Sequence, residues 1–163
     1  MKVKVGIGQD SHRFDFENAD RQLVLGGVVF PSHTALKGNS DADVVLHAIT
    51  NSISSITGVN IIGKVSDEMC LQKGITDSRV YLAEALKYLN QYEIGHIAIA
   101  IECKTPMISP KIDEMKSSIS EMLSVEISDV GITATTGEGL TAFGRGEGIQ
   151  AIAILTAYST EYL

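Results

Sequence analysis

The chain has 163 residues, a length that favours one compact domain, and we expect a single domain over residues 1–163. Its hydrophobic content of 44% and charged content of 20% are ordinary for a globular protein. The formal charge of −7 argues against nucleic acid as a partner, because phosphate backbones bind stripes of Lys and Arg. A small anionic substrate stays possible, since one local basic or metal-bearing pocket is enough to hold it.

The two cysteines, Cys70 and Cys103, lack zinc-finger spacing, so we expect free thiols in a reducing compartment. Neither a signal-peptide pattern nor a long apolar span is visible. We therefore expect a cytoplasmic protein with no membrane partner, although a processed organellar protein would look the same.

The first predicted elements are strands. Residues 2–9 alternate polar and apolar positions, which is typical of a strand. Residues 21–30 carry two β-rich runs around Gly26 and Gly27, which indicates a hairpin turn or a kinked strand.

Helical periodicity begins next. Apolar residues recur at three- and four-residue spacing over residues 40–56, which predicts a helix capped by Ser40 or Asp41. Residues 58–76 are predicted to form a loop, and residues 77–91 a second amphipathic helix.

The remaining segments mix the two types. Residues 109–124 are predicted to form a third helix, capped by Ser109. Strands are predicted over residues 94–103, 129–136 and 149–158.

This order predicts an α+β fold with a mixed β-sheet and helices packed on one face. The runs at residues 97–103 and 149–158 are apolar on both faces, so both sides of the sheet require cover. A symmetric copy of the same chain is the simplest cover for the second face.

Three side chains have the chemistry of a metal site. Asp10 and His12 lie at positions i and i+2 of a strand and therefore point to one side. His47 shares a helix face with Asp43, four residues away. One oxygen and two nitrogen ligands suit Zn²⁺ with an open fourth position. The alternatives are a surface Asp–His pair and a core histidine with one hydrogen bond.

A second candidate site lies in residues 133–148. Hydroxyl residues with free backbone N–H groups, Thr135 and Thr136, suit phosphate oxygens. Glu138 beside them suits Mg²⁺ or Mn²⁺ bridging phosphates, whereas a solvated glycine-rich turn is the alternative. Arg145 and Glu147 could form a structural pair or hold an anion.

These motifs together resemble the 2-C-methyl-D-erythritol 2,4-cyclodiphosphate synthases of the non-mevalonate isoprenoid pathway. The resemblance depends on "GIGQDSHRF", "LGGVVFP", "SDADVVLHAI", "TDSRVYL", "KTPMISPKIDEMK" and the final "TTGEGL…GRGEGI", and it runs nearly end to end. It implies a homotrimer with active sites at the subunit boundaries.

The resemblance also implies residue roles. Zn²⁺ would bind Asp10, His12 and His47, and Glu138 would bind a second ion, Mg²⁺ or Mn²⁺. Thr136 and Asn39 would be catalytic. The implied substrate contacts are Asp10, Ser11, His12, Asn39, Ser40, Asp43, Ile61, Ile62, Gly63, Cys103, Lys104, Thr105, Pro106, Met107, Ile108, Ser109, Thr135, Thr136, Gly137, Glu138 and Arg145. Cytidine would lie against residues 103–109, and Arg145 would face a threefold axis, where family members can hold an isoprenoid diphosphate.

The implied reaction converts 4-diphosphocytidyl-2-C-methyl-D-erythritol 2-phosphate to the 2,4-cyclodiphosphate with release of CMP. The alternatives are a metal-dependent nucleotide-diphosphate hydrolase and a non-catalytic trimer that binds isoprenoid diphosphates.

The sequence departs from the family pattern at several positions. Asn39 stands where the family usually has His, and Gly137 replaces a third threonine. The usual Gly-Asp-Ile-Gly reads "NIIG" at residues 60–63, which removes a carboxylate that Asp67 could replace. The family's aromatic residue is shifted to Phe143.

Overall fold

The computed structural model describes residues 1–160 of the chain. The predicted domain therefore extends three residues past the described part. In chain order the elements are β1 (Val3–Arg13), β2 (Gln22–Leu25), β3 (Val28–Thr34), α1 (Val44–Thr57), α2 (Lys64–Lys73), α3 (Ser78–Leu86), β4 (Tyr92–Glu102), α4 (Ile112–Leu123), β5 (Val130–Thr135) and β6 (Gly148–Ser159).

Four strands form the main sheet, in the order β1-β6-β4-β5. The β4–β5 pair is parallel and the other two pairs are antiparallel. Helix α1 packs on β1 and β6, and α4 packs on β5. The predicted α+β class, with a mixed sheet and helices on one face, is confirmed.

The residues of β1 that face α1 include two glycines. A Cβ atom on Gly6 would lie 2.2 Å from the Ser52 carbonyl oxygen, and one on Gly8 would lie 2.0 Å from that of Ala48. Only glycine allows so close an approach of helix and strand. Because side chains alternate along a strand, Asp10 and His12 continue the same row toward α1.

The other face of the sheet, here called the outer face, is exposed in the single chain. Val5, Ile7 and Ile154 are 65%, 62% and 44% exposed. Ile154 pairs with Ile7 on β1 and with Ala98 on β4, so these residues form one patch. The cover by a second copy stays a prediction.

The hairpin at Gly26 and Gly27 is confirmed, since these residues join β2 to β3 with φ values of 62° and 76°. The predicted loop over residues 58–76 is wrong, because it contains α2. This helix begins after Gly63, whose N–H is bound by Ser66 Oγ, and its C-cap is Gly74 in the left-handed region.

Two predicted caps are also wrong. Helix α1 begins at Val44 and is capped by Asp43, not by Ser40 or Asp41. Helix α4 begins only at Ile112, because residues 109–111 form a 3-10 turn without a side-chain cap. Among the described residues, no helix is both long and apolar enough to cross a membrane.

Candidate active site

Asp10, His12 and His47 converge where the end of β1 meets α1. Asp10 Oδ2 lies 3.1 Å from His12 Nε2 and 3.0 Å from His47 Nδ1. One ligand atom from each residue lies within 4.8 Å of the others. The structure thus brings together two sequence segments that lie 37 positions apart.

The two histidines shift the pKa of Asp10. Burial alone would raise it, but hydrogen bonds with His12 and His47 outweigh burial and lower the pKa to about 2. The hydrogen bond to Asp10 raises the pKa of His12, against the opposing effect of burial. Asp10 is therefore ionised at neutral pH, as a metal ligand must be.

The donor set fits a metal ion. His12 Nδ1 lies 2.6 Å from the Lys37 carbonyl oxygen, which can only accept a hydrogen bond, so Nδ1 carries the proton. Nε2 then holds either a second proton, donated to Asp10, or a lone pair that faces the Asp10 carboxylate. Electron-rich atoms that face one another require a cation or a proton between them, and one carboxylate with two imidazoles suits Zn²⁺.

Contacts behind His47 hold its ring. Its Nε2 lies 2.7 Å from Ser78 Oγ at the start of α3. The Ser78 hydroxyl and backbone N–H both contact the carboxylate of Asp41. His47 is 6% exposed and Ser78 is fully buried.

Asp43 lies at the start of α1. Its carboxylate is fully buried and accepts hydrogen bonds from the backbone N–H groups of Gly26, Gly27, Val45 and Leu46. These bonds join the β2–β3 turn to the start of α1. Burial raises the pKa of the Asp43 carboxyl to about 6, although the backbone donors oppose this shift. In the single chain these four backbone donors bind the carboxylate, and a substrate contact of Asp43 stays a prediction.

A cavity of about 370 Å³ opens beside the three ligands. Its wall includes Asn39, Ser40, Ile62, Gly63 and Asp67. Several residues assigned to the substrate through the resemblance therefore share one cavity with the candidate metal centre. Ile61, the neighbour of Ile62 in the chain, is buried, with 1% of its surface exposed.

The predicted phosphate loop follows β5. Thr135, Thr136 and Glu138 are exposed, and Glu138 has a φ of 49°. A Cβ atom on Gly137, where φ is 72°, would lie 2.2 Å from Glu102 Oε1. A side chain at position 137 would therefore require Glu102 to move.

The predicted nucleotide segment is partly buried. Cys103 and Ile108 are 3% exposed, whereas Met107 is 76% exposed and Ser109 is also exposed. Burial raises the pKa of Cys103 to about 11.

Arg145 lies at a separate cavity of about 340 Å³. Lys104, Thr105 and Pro106 line the same cavity. The Arg145 guanidinium pairs with Glu147 at 3.0 Å, and both side chains are exposed.

Within one chain, the phosphate loop is separated from the three ligands. Thr135 is in register with Glu102, Gln150 and Ser11 across the sheet. Three strand spacings separate β5 from β1, a distance of roughly 14 Å. The row of Ser11 and Thr135 also belongs to the outer face, opposite to Asp10 and His12.

Comparison with known proteins places this geometry in a family. A family model described as the YgbB family matches residues 3–158. The chain belongs to the YgbB family. The 2-C-methyl-D-erythritol 2,4-cyclodiphosphate synthase of Chlamydia caviae is 49% identical over 154 residues, which are 94% of this chain and 88% of that protein.

Solved structures agree with this YgbB assignment. IspF from Plasmodium falciparum in complex with CDP has a TM-score of 0.82 and 26% identity, over 96% of both chains. The bifunctional IspDF from Campylobacter jejuni has a TM-score of 0.87 and 26% identity, over 97% of this chain. The chain spans 42% of that longer protein. The family and the cyclodiphosphate synthase class, a phosphorus–oxygen lyase, are confirmed.

Sequence reasoning gave Ser78 and Asp41 no role in the site of this YgbB protein. Ser78 lies within the motif "TDSRVYL", and Asp41 lies at a predicted helix start, but neither position indicates a contact with the metal ligands. Their contact joins residues 37 positions apart, and no periodic pattern links them. The one available signal was a short polar residue at each of two predicted helix starts.

Proposed function

We propose that the protein converts 4-diphosphocytidyl-2-C-methyl-D-erythritol 2-phosphate into 2-C-methyl-D-erythritol 2,4-cyclodiphosphate and CMP. The observation that carries this proposal is the convergence of Asp10, His12 and His47 beside an open cavity. The 49% identity with a relative named for that product, over 94% of the chain, supports the same reaction.

The reaction is an intramolecular phosphoryl transfer. An oxygen of the 2-phosphate attacks the β-phosphorus, the bond from that phosphorus to the CMP oxygen breaks, and CMP leaves with the electron pair. Such a transfer depends on in-line positioning and on neutralising the charge of the phosphate oxygens. A divalent ion, when bound, acts as a Lewis acid on a phosphate oxygen and reduces the repulsion between the two anionic groups.

The residues present fit two ions of different chemistry. Asp10, His12 and His47 would hold Zn²⁺, because two imidazoles and one carboxylate are typical ligands of a catalytic zinc ion. Glu138 would hold Mg²⁺ or Mn²⁺, which would neutralise phosphate charge, since its carboxylate is exposed and hard cations prefer oxygen ligands.

The chain's own donors would position the substrate. Asn39 lines the cavity beside the metal ligands and can donate a neutral hydrogen bond to a phosphate oxygen. Thr136, with Thr135 and the backbone of Gly137 and Glu138, would hold the transferring diphosphate. The backbone of residues 103–109 would recognise cytosine.

A homotrimer would complete the site. In one chain roughly 14 Å and a change of sheet face separate the phosphate loop from the metal ligands, so one diphosphate is too short to contact both. A neighbouring copy packed on the outer face would present its own loop to the metal ligands. Its contact would also cover Val5, Ile7 and Ile154. Arg145 would then approach the threefold axis, and an isoprenoid diphosphate there stays a prediction, as does the cytoplasmic location.

Product analysis tests the reaction. The purified protein is incubated with the proposed substrate, Zn²⁺ and Mg²⁺, and the products are identified by ³¹P NMR. A cyclic diphosphate with one equivalent of CMP is the expected result. A linear phosphate product would instead identify a hydrolase, which the missing carboxylate at Ile61 would explain. The absence of turnover together with tight binding of an isoprenoid diphosphate would support the non-catalytic alternative.

A further inference from the structure

We propose that Asp41 and Ser78 are positioning residues for the metal centre. They fix which nitrogen of the His47 ring carries the proton, and so present the other nitrogen as a ligand. This inference rests on the metal centre of the proposed function and adds two residues behind it.

The direction of the hydrogen bonds follows from Asp41. Its Oδ2 accepts the Ser78 backbone N–H at 3.0 Å, and its Oδ1 accepts the Asp43 backbone N–H at 3.1 Å. Oδ1 also contacts the Ser78 hydroxyl. Because a carboxylate surrounded by donors only accepts, the single hydroxyl proton of Ser78 points to Asp41.

The state of His47 follows from Ser78. With its proton committed to Asp41, Ser78 Oγ can only accept from His47 Nε2, which lies 2.7 Å away. Nε2 therefore carries a ring proton, so Nδ1 is the nitrogen left to serve as the metal ligand. Nδ1 lies 3.0 Å from Asp10 Oδ2, the place where a metal ligand is required.

Burial makes this arrangement rigid. Ser78 is fully buried and His47 is 6% exposed, so bulk water cannot replace the hydroxyl without a rearrangement. His12 is held in the same manner by the Lys37 carbonyl, on the side of its ring away from Asp10. Each imidazole is thus oriented by an acceptor behind it, and partners of this kind strengthen metal binding.

Zinc affinity tests the proposal without any turnover. We expect Ser78→Ala to weaken zinc binding by about 10–100-fold in competition with a chromophoric chelator. Asp41→Asn should weaken it in the same direction, and Ser78→Thr, which keeps the hydroxyl, should restore most of the loss. The matched control is Ser52→Ala, a fully buried serine of α1 whose hydroxyl donates to the Ile49 carbonyl oxygen. Wild-type affinity in Ser78→Ala would overturn the proposal.

The position of the His47 ring proton is a second test, because a purely structural role of Ser78 would leave it unchanged. In the zinc-loaded wild-type protein, ¹H–¹⁵N NMR should find the His47 ring proton on Nε2, protected from exchange with water. In Ser78→Ala that proton should exchange far faster. A wild-type proton on Nδ1, with zinc on Nε2, would overturn the proposal even if no variant folds. Failure of the wild type to bind zinc would reject the metal centre of the proposed function, whereas bound zinc with unchanged affinity in Ser78→Ala would reject the role of Ser78 alone.

Discussion

His47 reaches the candidate metal centre from a buried helix face, so it has both a chemical and a structural role. We predict that His47→Ala loses zinc and lowers turnover on the order of 100-fold or more, because one of three ligands is removed. Stability should fall by about 1–3 kcal/mol, since the Ser78 hydroxyl loses its donor. Zinc content per chain and urea denaturation measure the two effects. Turnover equal to that of the wild type would contradict the role of His47.

Cys103 gives a prediction about reactivity with pH. Burial raises its pKa to about 11 from an ordinary value of 9.0, so the thiolate becomes scarce at neutral pH. At about pH 8 this shift alone lowers the thiolate fraction roughly 100-fold. We expect iodoacetamide to label Cys103 far more slowly in the folded protein than in urea. Mass mapping of the labelled peptides follows each cysteine separately, and equal rates in both states would show that the thiol is accessible.

Single residues also show how far the sequence could predict the site. Asp10 and His12 could be grouped because alternation along a strand is a strict rule. Helical spacing placed His47 on a face with Asp43, and only donor chemistry and the family resemblance grouped it with Asp10 and His12. The contacts of Asp43 could not be predicted, since its partners include backbone N–H groups of a distant hairpin. The same holds for Ser78, whose importance depends on a hydrogen bond to a residue of another helix.

The loop after β5 allows a matched test of backbone geometry. Gly137 and Gly139 have similar φ values, 72° and 76°. A Cβ atom on Gly139 meets nothing within 4 Å, whereas one on Gly137 overlaps the Glu102 carboxylate. Gly139→Ala should cost about 1 kcal/mol, the penalty of the left-handed region alone. Gly137→Ala should cost about 1 kcal/mol more, because Glu102 must move and lose its hydrogen bond from Thr141.

Urea denaturation of the two alanine variants measures this difference. In the background of Glu102→Ala, the carboxylate is gone and the two glycine positions should become equivalent. Equal losses in the original background would show that the close approach to Glu102 does not constrain the loop.

Helix α2 explains why one element was missed. Its buried side chains are Ser66 and Cys70, so the segment shows no apolar period and its sequence predicts a loop. Glycine caps at both ends, Gly63 and Gly74, define the helix instead. By contrast, α1 buries Val45, Leu46, Ile49, Ile53 and Ile56, and this three- and four-residue spacing predicts a helix.

In the single chain, one face of the main sheet is covered by helices and the other face is exposed. The strongly apolar strands β4 and β6 were the sequence signal for a second covering layer. The single chain supplies helices for one side and leaves Ile7 and Ile154 exposed on the other. If copies associate through this face, each active site combines the metal ligands of one copy with the phosphate loop of another.

Mixing two inactive variants tests this sharing. His47→Ala destroys the metal centre, and Thr136→Ala removes a donor from the phosphate loop. In randomly assembled mixed trimers, about one quarter of the boundaries combine an intact metal centre with an intact loop, so about one quarter of wild-type turnover should return. His47→Ala mixed with Asp10→Ala is the matched control, because both lesions lie in the same metal centre and no boundary is repaired. If each site belonged to one chain, the first mixture would stay as inactive as the control, since every chain would carry a lesion in its own site.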